Sequence, residues 1–196
     1  MVLTLLTSPT IVAKKLEKVE PFGVSILLLC LASFSGAVNE LLLCRAAVGY
    51  KASAAFIAWG FILNLVLAFI LILCTLVFLS FFLHLLGVSV SMGRVLWTLP
   101  LSFAPWLFSA PLGLIAAAIG GGLGVALTIP GHAFLFFWAF GVLISMLAEV
   151  AKTDLLRSLL AVAMSFGMAV LLFWGLSITL FFSGFSFLLA LSPPVA

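Results

Sequence analysis

The sequence predicts an all-α, polytopic transmembrane bundle of about five membrane-spanning helices, the third broken by prolines, with a short amphipathic helix ahead of the first. Three observations carry that prediction. Of 196 residues, 66% are hydrophobic and only 7% are charged, against about 45–50% and about 25% in ordinary soluble domains. Such a chain cannot cover itself with polar surface, so lipid must be the solvent for most of it. The apolar residues are gathered into five long stretches separated by short polar or charged segments. One of those stretches holds three prolines, Pro100, Pro105 and Pro111.

Residues 1–20 read as a cytosolic lead-in, and residues 21–196 as a single transmembrane domain. Ser8-Pro9 is a helix start, a capping hydroxyl followed by proline at the first helical position. From Thr10 to Glu20, spacings of three and four put Ile11, Val12, Leu16 and Val19 on one face, with Lys14, Lys15, Lys18, Glu17 and Glu20 around them. That pattern fits an amphipathic helix lying on the headgroups, or a solvated stub before the first span. The apolar run Val2 to Leu6 is too short for a secretory signal, and the lysines follow it rather than precede it.

The spans are expected at about 22–38, 55–84, 95–118, 133–149 and 159–182. Asn39-Glu40 closes the first. The second continues to about Leu86 with Asn64 and His84 as its only strongly polar residues, and nothing after Gly60 offers a turn. In the third, each proline removes a backbone donor and crowds the preceding turn, so a kink or break is expected. Broken backbone survives in a bilayer only where protein or water satisfies the freed carbonyls, which places this span against other helices. Gly120, Gly121, Gly122 and Gly124 suggest a flexible apolar linker ending at Pro130-Gly131-His132, with a re-entrant turn as one option. The fourth span ends at Glu149, and a charged loop with Lys152, Asp154 and Arg157 leads into the fifth.

With five spans, the N-terminal region and the second and fourth loops hold Lys14, Lys15, Lys18, Arg94, Lys152 and Arg157. The other side holds only Arg45 and Lys51. The positive-inside rule then sets the N-terminus in the cytosol and the C-terminus outside, in a cell (inner) membrane.

Chemistry-bearing groups are sparse. Cys30, Cys44 and Cys74 show no CxxC spacing, so neither a disulfide framework nor a metal site is expected. His84 and His132 lack HExxH spacing, and no GxSxG or phosphate-loop motif occurs. The expectation is a protein that is not an enzyme, with no cofactor and no nucleic-acid partner. The candidate intramembrane polar positions are Asn39, Glu40, Asn64 and Glu149. Asn64 either hydrogen-bonds a neighbouring helix or binds a solute. The other three lie near span ends, where interfacial solvation competes with pairing to a cation or proton. Ala32 with Gly36, Ser109 with Gly113, and Ala163 with Gly167 are small-xxx-small pairs that let helices approach closely, within the bundle or across a dimer face.

The order of these features resembles the Yip domain family of five-span membrane proteins named for interacting with Ypt/Rab GTPases. The resemblance rests on Thr7-Ser8-Pro9 before an amphipathic stretch, and a long second span ending at Leu86-Gly87. It continues with Leu99-Pro100-Leu101-Ser102-Phe103-Ala104-Pro105 in the third span, Trp138 and Gly141 in the fourth, and Leu159 to Ala163 opening the fifth. It implies five helices, a cytosolic N-terminus, and roles in trafficking and membrane shape through partner membrane proteins. The family's long eukaryotic N-terminal region has no counterpart here, so Rab binding does not carry over. Association with other membrane proteins or with itself, or organisation of lipid, is the leading expectation. A small transporter or channel for a lipid or small solute, with its site at the broken third span, is the alternative.

Overall fold

The computed structural model describes residues 2–16, 22–48 and 54–172. The amphipathic stretch beyond Leu16, the end of the fifth span beyond Leu172 and the apolar tail lie outside them. All regular structure among the described residues is helical. The elements are α1 (Val2–Thr7), α2 (Pro9–Leu16), α3 (Phe22–Val48), α4 (Ala54–Leu85), α5 (Met92–Leu101), a 3-10 turn (Ala104–Phe108), α6 (Ser109–Ile119) and α7 (Gly121–Val150). A last helix, α8 (Leu155–Leu172), closes the described chain. Five helical units are long and apolar enough to cross a bilayer: α3, α4, the segment Met92–Ile119, α7 and α8. The chain therefore has the make-up of a multi-pass integral membrane protein.

Cross-contacts give the helix directions. Gly36 faces Asn64 and Gly60 faces Ala37 and Glu40, so α4 runs antiparallel to α3. Ser25 bonds Trp97 and Ser35 bonds Leu107, so the third span runs parallel to α3. Along α3, Ser25, Leu28, Leu29, Ala32, Ser35 and Asn39 are buried, and their spacings of three and four define one inward face. On α4 most large side chains point outward, among them Leu63, Phe69, Ile70 and Phe81. That is the surface of a peripheral, lipid-facing helix, because a bilayer rewards apolar exposure.

Three expectations need correction. The first helix does not close at Asn39-Glu40 but continues to Val48. Both polar side chains find lateral partners on other helices, so the helix can pass through them. Gly120 to His132 is not a flexible linker. Gly120 and Gly121 make the turn, at φ 73° and 58°, and α7 runs from Gly121 onward with Pro130 inside it. The approach is so close that a side chain on Gly124 would strike the Ala116 carbonyl. Thirdly, the lead-in is not a solvated stub, because α1 and α2 pack against the bundle. Leu5, Leu6, Val12 and Ala13 are buried in a cluster with Leu28, Trp97, Leu101, Val142 and Met146. Trp138 Nε1 donates to the Leu6 carbonyl at 3.2 Å, and Lys14 meets Glu149 at 3.6 Å.

The third span shows how the bundle handles proline. Trp97 to Ser102 is an unbroken buried run, and from Phe103 to Trp106 the backbone bonds shorten to i→i+3. Pro111 has no N–H for the Leu107 carbonyl. Ser35 of α3 donates to that carbonyl at 3.0 Å and accepts the Ala110 N–H at 3.0 Å. One hydroxyl thus replaces a missing backbone donor and satisfies a neighbouring one. Ser25 makes a similar bond to the Trp97 carbonyl, 3.0 Å away.

Candidate functional site

Four chain segments bring their polar residues to one level of the bundle. Asn39 and Glu40 are late in α3, and Asn64 is early in the antiparallel α4. Ser109 opens α6, and His132 sits one-third of the way along α7. Glu40 lies eighteen residues beyond Phe22, and His132 eighteen before Val150. At 1.5 Å per residue both distances are about 27 Å, so the shared level follows from helix length alone. Ala32, Ser33, Gly36, Phe103 and Trp106 join them around a cleft of about 320 Å³, at the small end of the ~300–1,000 Å³ range of ligand pockets.

Within the cleft, Asn39 Nδ2 stands 3.1 Å from His132 Nε2. His132 Nδ1 stands 2.8 Å from the Thr128 carbonyl. With Asn39 donating to Nε2, the imidazole carries its proton on Nδ1 and donates to Thr128, which fixes the ring. The indole of Trp106 flanks it, with ring centroids 6.1 Å apart. Asn39 is 5% exposed, and its Oδ1 has no hydrogen-bond partner among the described residues. On the other side, Asn64 Nδ2 donates to Glu40 Oε1 at 3.3 Å. Glu40 is exposed, and among the described residues it is the only charged one lining the cleft.

Two glycines set this geometry. A Cβ on Gly113 would fall 2.7 Å from Asn39 Oδ1 and 3.0 Å from its Cα. A Cβ on Gly36 would fall 3.3 Å from Asn64 Nδ2. Both small-residue positions therefore act inside the chain. Gly167 is different: among the described residues nothing lies within 4 Å of its would-be Cβ. Ser158, Ala161, Val162, Ser165 and Ala169 form the buried face of α8, and Ala163 and Gly167 point away from it.

Of the candidate positions, Asn39, Glu40 and Asn64 come together, and Glu149 does not. It lies about 25 Å along α7 from His132 and pairs instead with Lys14 at the opposite end. Pro105 precedes Trp106 at the cleft wall, Pro100 is buried in α5, and Pro111 is exposed on α6. His132 is the residue that sequence reasoning passed over, because it was assigned to a linker. The signal was present. No charged residue occurs between Arg94 and Glu149, so an imidazole in that run is costly to bury without a partner.

Among the described residues, no three His, Cys, Asp or Glu side chains come together as metal ligands would. Compared with known protein families, curated proteins and solved structures, the chain matches none of them.

Proposed function

We propose that this chain is a non-enzymatic membrane protein of Yip-like type that organises its bilayer by holding lipid in the cleft between α3, α4, the third span and α7. The observation that carries the reading is the Asn39–His132–Thr128 chain of hydrogen bonds facing Glu40 and Asn64, inside a bundle whose other buried polar side chains are serine and threonine hydroxyls. Polar groups at membrane depth are expensive unless something uses them. The glycine faces support lipid organisation over assembly, because Gly36 and Gly113 are spent on contacts within the chain. Gly167 remains as the position from which the chain would self-associate or meet another membrane protein.

The distribution of basic residues supports a cytosolic N-terminus, with Lys14, Arg94, Lys152 and Arg157 at the end of the bundle that carries Glu149. The cleft then opens toward the outer leaflet. A second reading, transport of a lipid or small solute, is favoured by one feature: the 3-10 segment of the third span forms a cleft wall through Trp106, and interrupted helices often line substrate paths.

The test is the lipid that copurifies. The wild-type chain, extracted into nanodiscs without detergent, should retain a defined lipid that His132→Leu and Asn39→Leu lose while their melting temperatures stay within a few degrees. Identical lipid content in all three would remove the proposal. Flux across proteoliposomes that responds to Glu40→Gln would promote the transport reading.

A further inference from the structure

The polar cleft is one end of a longer groove. A second crevice, about 140 Å³ and almost wholly apolar, lies deeper in the bundle and shares the walls Phe103 and Trp106 with the first. On α4 the two are lined in turn by Asn64, Ala68, Leu71, Ile72 and Thr75. On α7 they are lined by His132, Phe136, Ala139, Phe140 and Leu143. Both sets follow the same offsets (zero, four, seven, eight, eleven), so each is a single helical stripe. Two helices running in parallel, both antiparallel to α3, thus present matched stripes over a floor made by the third span. Eleven residues rise about 16 Å, roughly half the ~30 Å hydrocarbon core. The groove is polar at one end, apolar along its length, and as deep as one leaflet.

We infer that this groove seats a single lipid of one leaflet, its acyl chain along Phe136, Ala139 and Leu143 and its headgroup among Asn39, Glu40, Asn64 and His132. The inference rests on the lipid-holding reading above and adds the ligand's chemistry. Among the described residues, no lysine or arginine lines either part of the groove, and the one charged side chain there is Glu40. Anionic lipids are usually recognised by basic pockets, and this site has the opposite sign. Glu40 Oε2 and the serine hydroxyls of Ser33 and Ser109 offer acceptors. The head is therefore one that donates hydrogen bonds and carries no net negative charge, an ammonium or a hydroxyl. Phe166 of α8 lies tilted against Phe136, 5.2 Å between centroids, and walls the apolar part from the side.

Photoactivatable lipids with a mid-chain diazirine test it on the full chain in nanodiscs. Phosphatidylethanolamine, diacylglycerol and phosphatidylglycerol analogues would be compared at equal mole fraction. The inference predicts labelling of peptides containing Phe103, Phe136 or Leu143 by the first two, and about tenfold less by phosphatidylglycerol. The first two separate an ammonium head from a hydroxyl one. Ala139→Trp should abolish that labelling. Gly141→Trp, on the exposed side of the same helix with nothing within 4 Å, should leave it intact. Serial melting of both variants controls for misfolding. Equal labelling by all three lipids, or labelling indifferent to Ala139→Trp, overturns the inference while the copurified lipid can still depend on His132. Absence of any retained lipid overturns both readings.

Discussion

Replacing Ser35 by alanine should cost more than the loss of an ordinary serine, and Pro111 is the reason. The Ser35 hydroxyl donates to the Leu107 carbonyl, whose helical partner would be the N–H that Pro111 lacks, and it accepts the Ala110 N–H. Ser35→Ala takes the hydroxyl partner from both backbone groups inside the bundle. An unsatisfied buried group costs about 1–3 kcal/mol, and side-chain bonds between membrane helices reach about 1.7 kcal/mol at most in measured cases. Two groups together then give a penalty of about 2 kcal/mol. Pro111→Ala supplies an N–H to Leu107, so Ser35→Ala in that background should lose only the Ala110 bond. The cycle therefore predicts a coupling of about 1 kcal/mol between α3 and α6. Equilibrium unfolding by steric trapping in bicelles would measure all four corners. Equal Ser35→Ala penalties in both backgrounds, within about 0.3 kcal/mol, would refute the idea that this hydroxyl substitutes for the missing backbone donor.

Gly113→Ala should destabilise by about 1–3 kcal/mol through overpacking against Asn39, whereas Gly167→Ala, which meets nothing in the described chain, should be neutral or slightly stabilising; thermal unfolding in one detergent compares them. Trp138→Phe removes the bond to the Leu6 carbonyl and should lower stability by about 1 kcal/mol, with hydrogen exchange rising first in residues 2–7. Ala13→Asp buries a carboxylate at a site with no exposure and should unseat α2, read as new protease sensitivity near Lys14 and Lys15. Lys14→Ala should change melting very little, because an ion pair with a lysine 67% exposed is worth at most about 1 kcal/mol and less with solvent screening.

Hydropathy made the five crossings legible, since long apolar runs have few alternatives in length or chemistry. Helix ends were legible only where a backbone rule applied. Gly120 and Gly121 turned the chain because φ values of 73° and 58° suit glycine, yet the whole glycine run was over-read as flexibility. In lipid, backbone hydrogen bonds outweigh glycine's poor helix propensity, which is only about 1 kcal/mol per residue. Asn39-Glu40 looked like an ending because polar residues usually mark one. It was a site instead, and only tertiary contact with His132 and Asn64 distinguishes those cases. The docking of α1 was hidden for a similar reason, since six residues show too little periodicity to reveal that Leu5 and Leu6 face a core. Ser35 had no local signal at all. Its role depends on Pro111, which is seventy-six positions away and meets it only in the folded bundle.

The most direct test of the central claim is an experimental structure of the full chain in lipid nanodiscs. The account predicts elongated lipid density along the stripe from His132 to Leu143, with its head within hydrogen-bonding distance of Asn39 or Glu40. A groove closed by direct packing of Phe103 and Trp106 onto Ala68 and Phe136, with no lipid between, would contradict it.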